Sequence, residues 1–226
     1  QGVKMKLDLR NVRTRWINVD ADTEKASQMI DLLNTNEFRN YERFSAVTGI
    51  EPHEGVREGE EHYRNCAESH FKVLEETILK DGEPVLILED DVEVTKALDD
   101  FTDGEVDFPD NADAIYMGTS HGDGKYEALK HDQQWLKIKR VFATHAILYL
   151  SKEYANHTIE IGKRWIYNRN TPFDVGLAYE LQPSKNVYAP ITPTFYQADS
   201  KNSKNKWEAI TKTPLRITAE FKIGTM

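Results

Sequence analysis

Apolar residues recur along the chain at two different spacings, and the change between them marks its elements. Trp16-Ile17-Asn18-Val19 reads as a short strand. After it, with Asp22 and Thr23 as cap candidates, Ala26, Met29, Ile30 and Leu33 follow at i, i+3, i+4 and i+7, the spacing of an amphipathic helix. Phe44-Ser45-Ala46-Val47 before Gly49 predicts a second short strand, and the Glu-, Gly- and His-rich run from Ile50 to His62 predicts a loop. From about His62 to Leu79, Tyr63, Cys66, Ala67, His70, Leu74 and Ile78 lie on one helical stripe, with Asp81-Gly82-Glu83-Pro84 as the stop.

Val85-Leu86-Ile87-Leu88 is apolar without interruption. A run of strand length with no polar alternation suits a strand buried on both faces, so the expected fold is an α/β layered one with parallel strands. Asp113 to Gly118 predicts another strand, and Gly118 to Asp132 a polar loop in which His121 sits among glycines, either as part of a lid or as ordinary surface. Val141-Phe142 and His145 to Leu150 lead into a helix capped by Ser151 and ended by Gly162. Thr171-Pro172-Phe173-Asp174 offers an N-cap, a proline at the first helical position and an acid at the third, predicting a capping box and a helix to about Leu181. Asn186 to Ile191 is a last strand; beyond Tyr196 the chain turns polar and basic.

Composition narrows the class. The 226 residues are 39% hydrophobic and 30% charged, enough for one domain over 1–226 with a real core. No apolar stretch approaches the ~18 residues needed to span a bilayer, so no membrane span is expected. The start lacks the apolar run of a signal peptide. Cys66 is the single cysteine, which excludes an internal disulfide and thiolate clusters and fits a reducing cytosol; alone, it reads as a small buried hydrophobe. The net charge of −9 divides unevenly: residues 1–124 carry −16 and residues 125–226 carry +7. Such a split suits a divalent cation on the acidic side and a phosphate or polyanion on the basic side, beside the plainer reading of solvated loops.

The main chemical signal is Glu89-Asp90-Asp91 at the carboxyl end of the buried strand, the edge where open α/β sheets bind ligands. Adjacent acids repel, and a hard cation such as Mn²⁺ or Mg²⁺ relieves the repulsion by taking carboxylate oxygens. Strand alternation puts Glu89 and Asp91 on one side and Asp90 on the other, which makes Asp91 and Glu89 the metal and ribose set; a plain turn is the alternative.

Trp16-Ile17-Asn18-Val19-Asp20, Phe44 to Gly49, Asn65-Cys66-Ala67-Glu68-Ser69-His70, Val85 to Val92, Asp113 to Gly118, Thr144-His145-Ala146 and Pro172-Phe173-Asp174 together resemble glycosyltransferase family 25, in family order from about Trp16 to Ser200. The resemblance implies a GT-A-like, Rossmann-related fold: a mixed, mostly parallel sheet flanked by helices. It also implies a nucleotide-sugar donor, most simply a UDP-sugar, a Mn²⁺ or Mg²⁺ cofactor, and inversion at the anomeric carbon. The family includes lipopolysaccharide sugar transferases and collagen galactosyltransferases, and related phage enzymes act on hydroxymethylated cytosine in DNA. The expected setting is therefore the cytoplasm of a bacterium or of a phage-infected host cell.

Carried over by residue, the resemblance makes Asp91 the metal ligand, with Glu89 and Asp90 contacting metal, ribose or sugar. Asn18 and Asp20 lie near the nucleotide, Gln197 and Ser200 close over the diphosphate, and Asp174, with Asp90 as the other catalytic candidate, is the base or an acceptor-orienting acid. The donor and metal side falls at about 3–124, the acceptor side at 125–200, and a basic tail at 201–226. Two departures stand out. Ala21, Thr23 and Lys25 occupy a stretch where the family usually has arginines, and Asn65 stands where it commonly has Gly.

The acceptor is less constrained. His145 and Thr144 face an acceptor or merely pack, and His70 reads as a hydrogen-bonded core histidine. Lys204, Lys206 and Trp207 suit a DNA acceptor whose phosphates and flipped base need cations and an aromatic ring; otherwise this tail packs on the acidic half or holds the diphosphate. A glycan is the family default, hydroxymethylcytosine DNA the rival, and an inactive nucleotide-sugar-binding module the reading from another class.

Overall fold

The computed structural model describes residues 5–101, 104–199 and 206–220. The chain runs β1 (Met5–Leu7), β2 (Thr14–Asn18), α1 (Thr23–Thr35), β3 (Tyr41–Ser45), α2 (Tyr63–Glu76) and the short α3 (Ile78–Asp81). Then come β4 (Val85–Glu89), β5 (Val92–Val94), β6 (Val106–Phe108), β7 (Ala114–Tyr116), β8 (Glu127–Lys130), β9 (Trp135–Lys139) and β10 (Ala146–Tyr149). They are followed by α4 (Lys152–Lys163), α5 (Phe173–Gly176), β11 (Val187–Pro190), β12 (Phe195–Gln197), α6 (Trp207–Lys212) and β13 (Ala219–Glu220).

Nine strands form one mixed sheet in the order β13-β8-β9-β11-β7-β10-β4-β2-β3. β2 pairs in parallel with both β3 and β4, while β10 is antiparallel to β4 and β7. The uninterrupted apolar run is explained by what it faces. Val85 and Ile87 belong to a core shared with Ala67, Phe71 and Leu74 of α2, and Leu86 and Leu88 to a second core with Met29 and Leu33 of α1. All four are fully buried, and each such side chain contributes roughly 1.5–3 kcal/mol on removal from water. β4 is thus buried on both faces between helical layers.

A separate two-stranded ladder pairs β5 with β12 and sets Gln197 opposite Val92. It returns the end of the chain to the strand edge where β2, β3 and β4 finish.

The local chemistry holds at several element ends. Asp22 caps α1 through the amide of Lys25, and Ser151 caps α4 through that of Tyr154. Gly82 ends α3 at φ +84°, a left-handed conformation suited to glycine. Other expectations change. The polar loop from Gly118 to Asp132 contains β8, because Ala128 buries and the strand pairs with β9. Gly162 does not end its helix; the helical path continues through a π turn, Arg164–Asn168. Its role is close packing, since a Cβ there would lie 2.4 Å from Cζ of Phe71. No capping box forms at Thr171, whose hydroxyl donates to the carbonyl of Arg169, and Pro172 occupies the N-cap. Among the described residues no helix is long and apolar enough to cross a membrane.

Candidate active site

β4 ends at Glu89 and β5 begins at Val92, so the acid triplet forms the corner between them. There the three carboxylates meet different partners. Asp90 Oδ2 accepts a hydrogen bond from Asn18 Nδ2 at 2.7 Å, and Lys25 Nζ lies 3.4 Å from Oδ1. Asn18 Oδ1 accepts in turn from Arg43 Nε at 2.9 Å, and Asp20 accepts from Arg43 and from the Ser45 hydroxyl, both at 2.7 Å. The Ser45 and Arg43 hydrogen bonds hold the Asp20 carboxyl below its usual range. The parallel ends of β2, β3 and β4 thus carry one polar network, in which Arg43 was not foreseen. Burial opposes the charge on Lys25, but Asp90 and Asp91 outweigh it and its ammonium is held more firmly than usual. A cation therefore stands on Asp90 in the stretch where the arginines were missed.

Glu89 turns toward α2. Its Oε1 accepts from Thr144 Oγ1 at 2.7 Å and contacts His70 Nε2 at 3.0 Å and Cys66 Sγ at 3.7 Å. Burial raises its pKa, yet the His70 and Thr144 hydrogen bonds and the nearby imidazoles prevail, so Glu89 stays charged well below the ordinary carboxylate range. His70 is the hydrogen-bonded core histidine expected of its stripe, completely buried. Cys66 is a correction: it is half-buried, and its thiol contacts Glu89. The i, i+4 spacing of Cys66 and His70 was the available sequence signal, but only the packing of α2 on β4 gives it a target. His145 also needs correction as an acceptor contact. It is 1% exposed, packed beneath Gly118, and burial lowers its pKa to about 4, so the ring is neutral. Thr144 is buried too, its hydroxyl committed to Glu89.

Asp91 Oδ2 accepts from Gln197 Nε2 at 2.7 Å, and its backbone carbonyl accepts from the Ala198 amide at 2.8 Å. Oδ1 is buried and has no hydrogen-bond partner among the described residues. Burial first, and the charge of Glu89 second, push the Asp91 carboxyl up to about 7 against the pull of Gln197 and Lys25.

Asp174 accepts from the Ala143 amide at 3.2 Å and from the Val175 amide at 2.9 Å. Burial raises its pKa above the usual carboxylate value, and the negative charges of Glu89 and Glu60 add to the effect. The backbone around it is strained: Arg140 (φ 59°), Ala143 (φ 81°) and Asn170 (φ 48°) are all left-handed without being glycine. Such strain persists where the surrounding structure enforces it, commonly at functional sites.

The described part of the tail packs against this edge. Thr211 Oγ1 of α6 accepts from the Gln197 amide at 2.8 Å, Lys212 Nζ lies 4.1 Å over the Tyr196 ring, and Lys206 lies 4.0 Å from Asp199. Trp207 is half-buried at the start of α6. Ser200 and Lys204 lie outside the described residues.

Residues 17–171, most of the chain, match the family model described as glycosyltransferase family 25, an LPS biosynthesis protein. The chain belongs to glycosyltransferase family 25. The family-25 chain is accordingly a glycosyltransferase, and its mixed sheet flanked by helices agrees with the GT-A-like fold. A solved structure, described as a glycosyltransferase involved in the glycosylation of the major capsid of PBCV-1, is similar over 80% of this chain and 93% of its own, at 13% identity and a TM-score of 0.34. No curated protein matches the family-25 chain.

Proposed function

We propose that this glycosyltransferase moves a sugar from a UDP-sugar to a glycan hydroxyl, with inversion, and that a Mn²⁺ or Mg²⁺ ion is held at Asp91. The carrying observation is Asp91 Oδ1: a buried carboxylate oxygen with no partner among the described residues, beside the charged Glu89, in a cluster of acids. This donor set fits a hard cation, because a unidentate carboxylate leaves coordination positions for diphosphate oxygens and water. Such an ion supplies charge neutralisation for a departing diphosphate.

The remaining roles belong to the chain. Asn18, Asp20 and Asp90, tied together through Arg43 and Lys25, orient the nucleoside end of the donor. Gln197 holds Asp91 in place, and the β5–β12 ladder holds Gln197. Asp174 is the base: burial raises its pKa, which suits a carboxylate that takes up a proton during the reaction, and its two backbone donors fix its orientation. The acceptor oxygen forms its bond to the anomeric carbon on the face opposite the leaving diphosphate. The bond to the diphosphate breaks as the hydroxyl proton passes to Asp174.

A glycan is favoured over DNA because two of the three cations in the described tail face the chain itself: Lys206 faces Asp199, and Lys212 faces Glu208 and Tyr196. The test offers a pool of nucleotide sugars with Mn²⁺ to wild type and to Asp91→Ala, with a glycan panel or hydroxymethylcytosine DNA as acceptor, read by mass. Transfer to a glycan, lost in EDTA and in Asp91→Ala, is expected. Turnover that survives chelation overturns the metal assignment, retained configuration in the product overturns inversion, and a sugar on DNA moves the acceptor. No turnover by either protein returns the chain to a binding module.

A further inference from the structure

Cys66 and His70 play no part in the transfer just described, yet both point at the same carboxylate. The α2 spacing places them one helical turn apart, and the packing of α2 on β4 brings Glu89 between them. Cys66 Sγ, His70 Nε2 and a Glu89 carboxylate oxygen all lie within 4.8 Å of one another. His70 is fully buried, and Cys66 and Glu89 are partly so. We propose that Cys66, His70 and Glu89 form a second cation site, selective for a zinc-class ion, separate from the hard-cation site at Asp91.

Geometry and ligand type carry the assignment. Ligand atoms about 2.0–2.3 Å from a tetrahedral ion stand roughly 3.3–3.6 Å from one another. The present separations, 3.0 Å from His70 Nε2 to Glu89 Oε1 and 3.7 Å from Cys66 Sγ to the same oxygen, bracket that range. The third pair, Cys66 Sγ and His70 Nε2, lies within 4.8 Å, so the three converge on an ion with shifts of roughly 1 Å or less. A thiolate and an imidazole select zinc over Mn²⁺ or Mg²⁺, whose preferred partners are oxygens. A dication with a thiolate and a carboxylate is neutral; burial and the negative charges of Glu89, Asp91 and Asp174 push the Cys66 thiol well above its usual range, so the ion itself must draw off the thiol proton.

Loading releases the Cys66 thiol proton to solvent and leaves His70 with its remaining proton on Nδ1. Nδ1 is buried and without a partner among the described residues, so this tautomer costs roughly ten- to a hundredfold in affinity. Structural zinc sites bind tightly enough to bear such a loss. Three protein ligands leave the fourth tetrahedral position to water or to Thr144 Oγ1, which lies 2.7 Å from Glu89 Oε1.

The experiment titrates the reduced, chelator-stripped protein with Co²⁺ and with Zn²⁺. Co²⁺ reports a thiolate ligand through a sulfur-to-cobalt charge-transfer band, and Zn²⁺ should bleach that band by displacement. Zn²⁺ should also slow alkylation of Cys66 at least tenfold, reversibly on adding a chelator. Cys66→Ser and His70→Gln should each weaken Zn²⁺ binding a hundredfold or more; circular dichroism identifies a variant that has failed to fold, and the wild-type cobalt spectrum decides without either. Asp91→Asn should lose Mn²⁺ binding but keep the cobalt band, which separates this site from the proposed catalytic one. Absence of the band together with unprotected Cys66 in wild type overturns the proposal and leaves the three residues as a hydrogen-bonded cluster.

Discussion

Gln197 donates its side-chain amide to Asp91 Oδ2 at 2.7 Å across 106 residues of chain. The bond connects the corner after β4 to β12, which follows eight of the nine strands of the main sheet in the chain and lies outside that sheet. Its effect is electrostatic as well as geometric, because a donor on Asp91 favours the charged form that burial opposes. Replacing Gln197 with Ala should therefore raise the Asp91 pKa further and weaken Mn²⁺ binding at neutral pH by roughly tenfold, the worth of one hydrogen bond to a charged group. Calorimetric titration of Mn²⁺ into both proteins checks this.

Metal binding should be pH-dependent with a definite sign. Asp91 is pushed up to about 7, and a cation must compete there with a proton. Below that pH, Mn²⁺ affinity should fall roughly tenfold per unit, and above it the dependence should flatten. Manganese binding followed by electron paramagnetic resonance from pH 5 to 9 tests the curve; a flat profile would place the ion elsewhere.

The same carboxyl should cost stability in the metal-free protein. Its folded pKa lies above the ordinary carboxylate value of 3.8, so between about 4 and 7 the folded state keeps a proton that the unfolded chain has released. Stability therefore falls as pH rises through that window. Glu89 has the opposite sign: its folded pKa is depressed below 4.5, so its contribution is present above that value and is lost in acid. Asp91→Asn should stabilise the chelated protein at pH 8 by roughly 1–3 kcal/mol while abolishing Mn²⁺ binding. At about 2–4 °C per kcal/mol for a chain of this size, scanning calorimetry in EDTA resolves the shift.

Asp174→Asn preserves the shape and one of the two backbone hydrogen bonds, since its amide nitrogen cannot accept an N–H, while removing the proton acceptor. Transfer should drop by roughly 10²–10⁴-fold, with donor affinity within a few fold of wild type. Single-turnover kinetics alongside equilibrium UDP-sugar binding separates the two effects. Equal loss of both would make Asp174 a binding residue.

Gly118→Ala probes the floor of the site. A Cβ there would lie 2.1 Å from Nε2 of His145, which is buried. Overpacking of this kind costs roughly 1–3 kcal/mol. The backbone carbonyl of His145 also accepts the Glu89 amide at 3.0 Å, so displacement should reach the acid triplet and lower turnover as well as melting temperature. A variant with normal melting and normal turnover would show that the ring moves freely.

Much of the frame was legible because local chemistry and burial agree. The unbroken apolar run at Val85 to Leu88 required two buried faces and received them from α1 and α2. Asp22 and Ser151 cap the helices they precede, since a side-chain oxygen at that position meets free amides whatever surrounds it. Thr171 and Asp174 had the same local pattern, but the amide of Ala143, 31 residues away, takes the Asp174 carboxylate instead.

By itself the sequence determined the layered α/β order, the acid corner at a sheet edge and, through its motifs, the family. Only the tertiary structure decided what each acid meets: Asp90 the first strand, Glu89 the Cys66–His70 face of α2, and Asp91 the late strand carrying Gln197. The physical reason is range. Periodicity and capping are encoded within one or two turns of chain, whereas a buried carboxylate's protonation and partners depend on groups 19 to 106 positions away, which only the completed sheet brings within hydrogen-bonding distance.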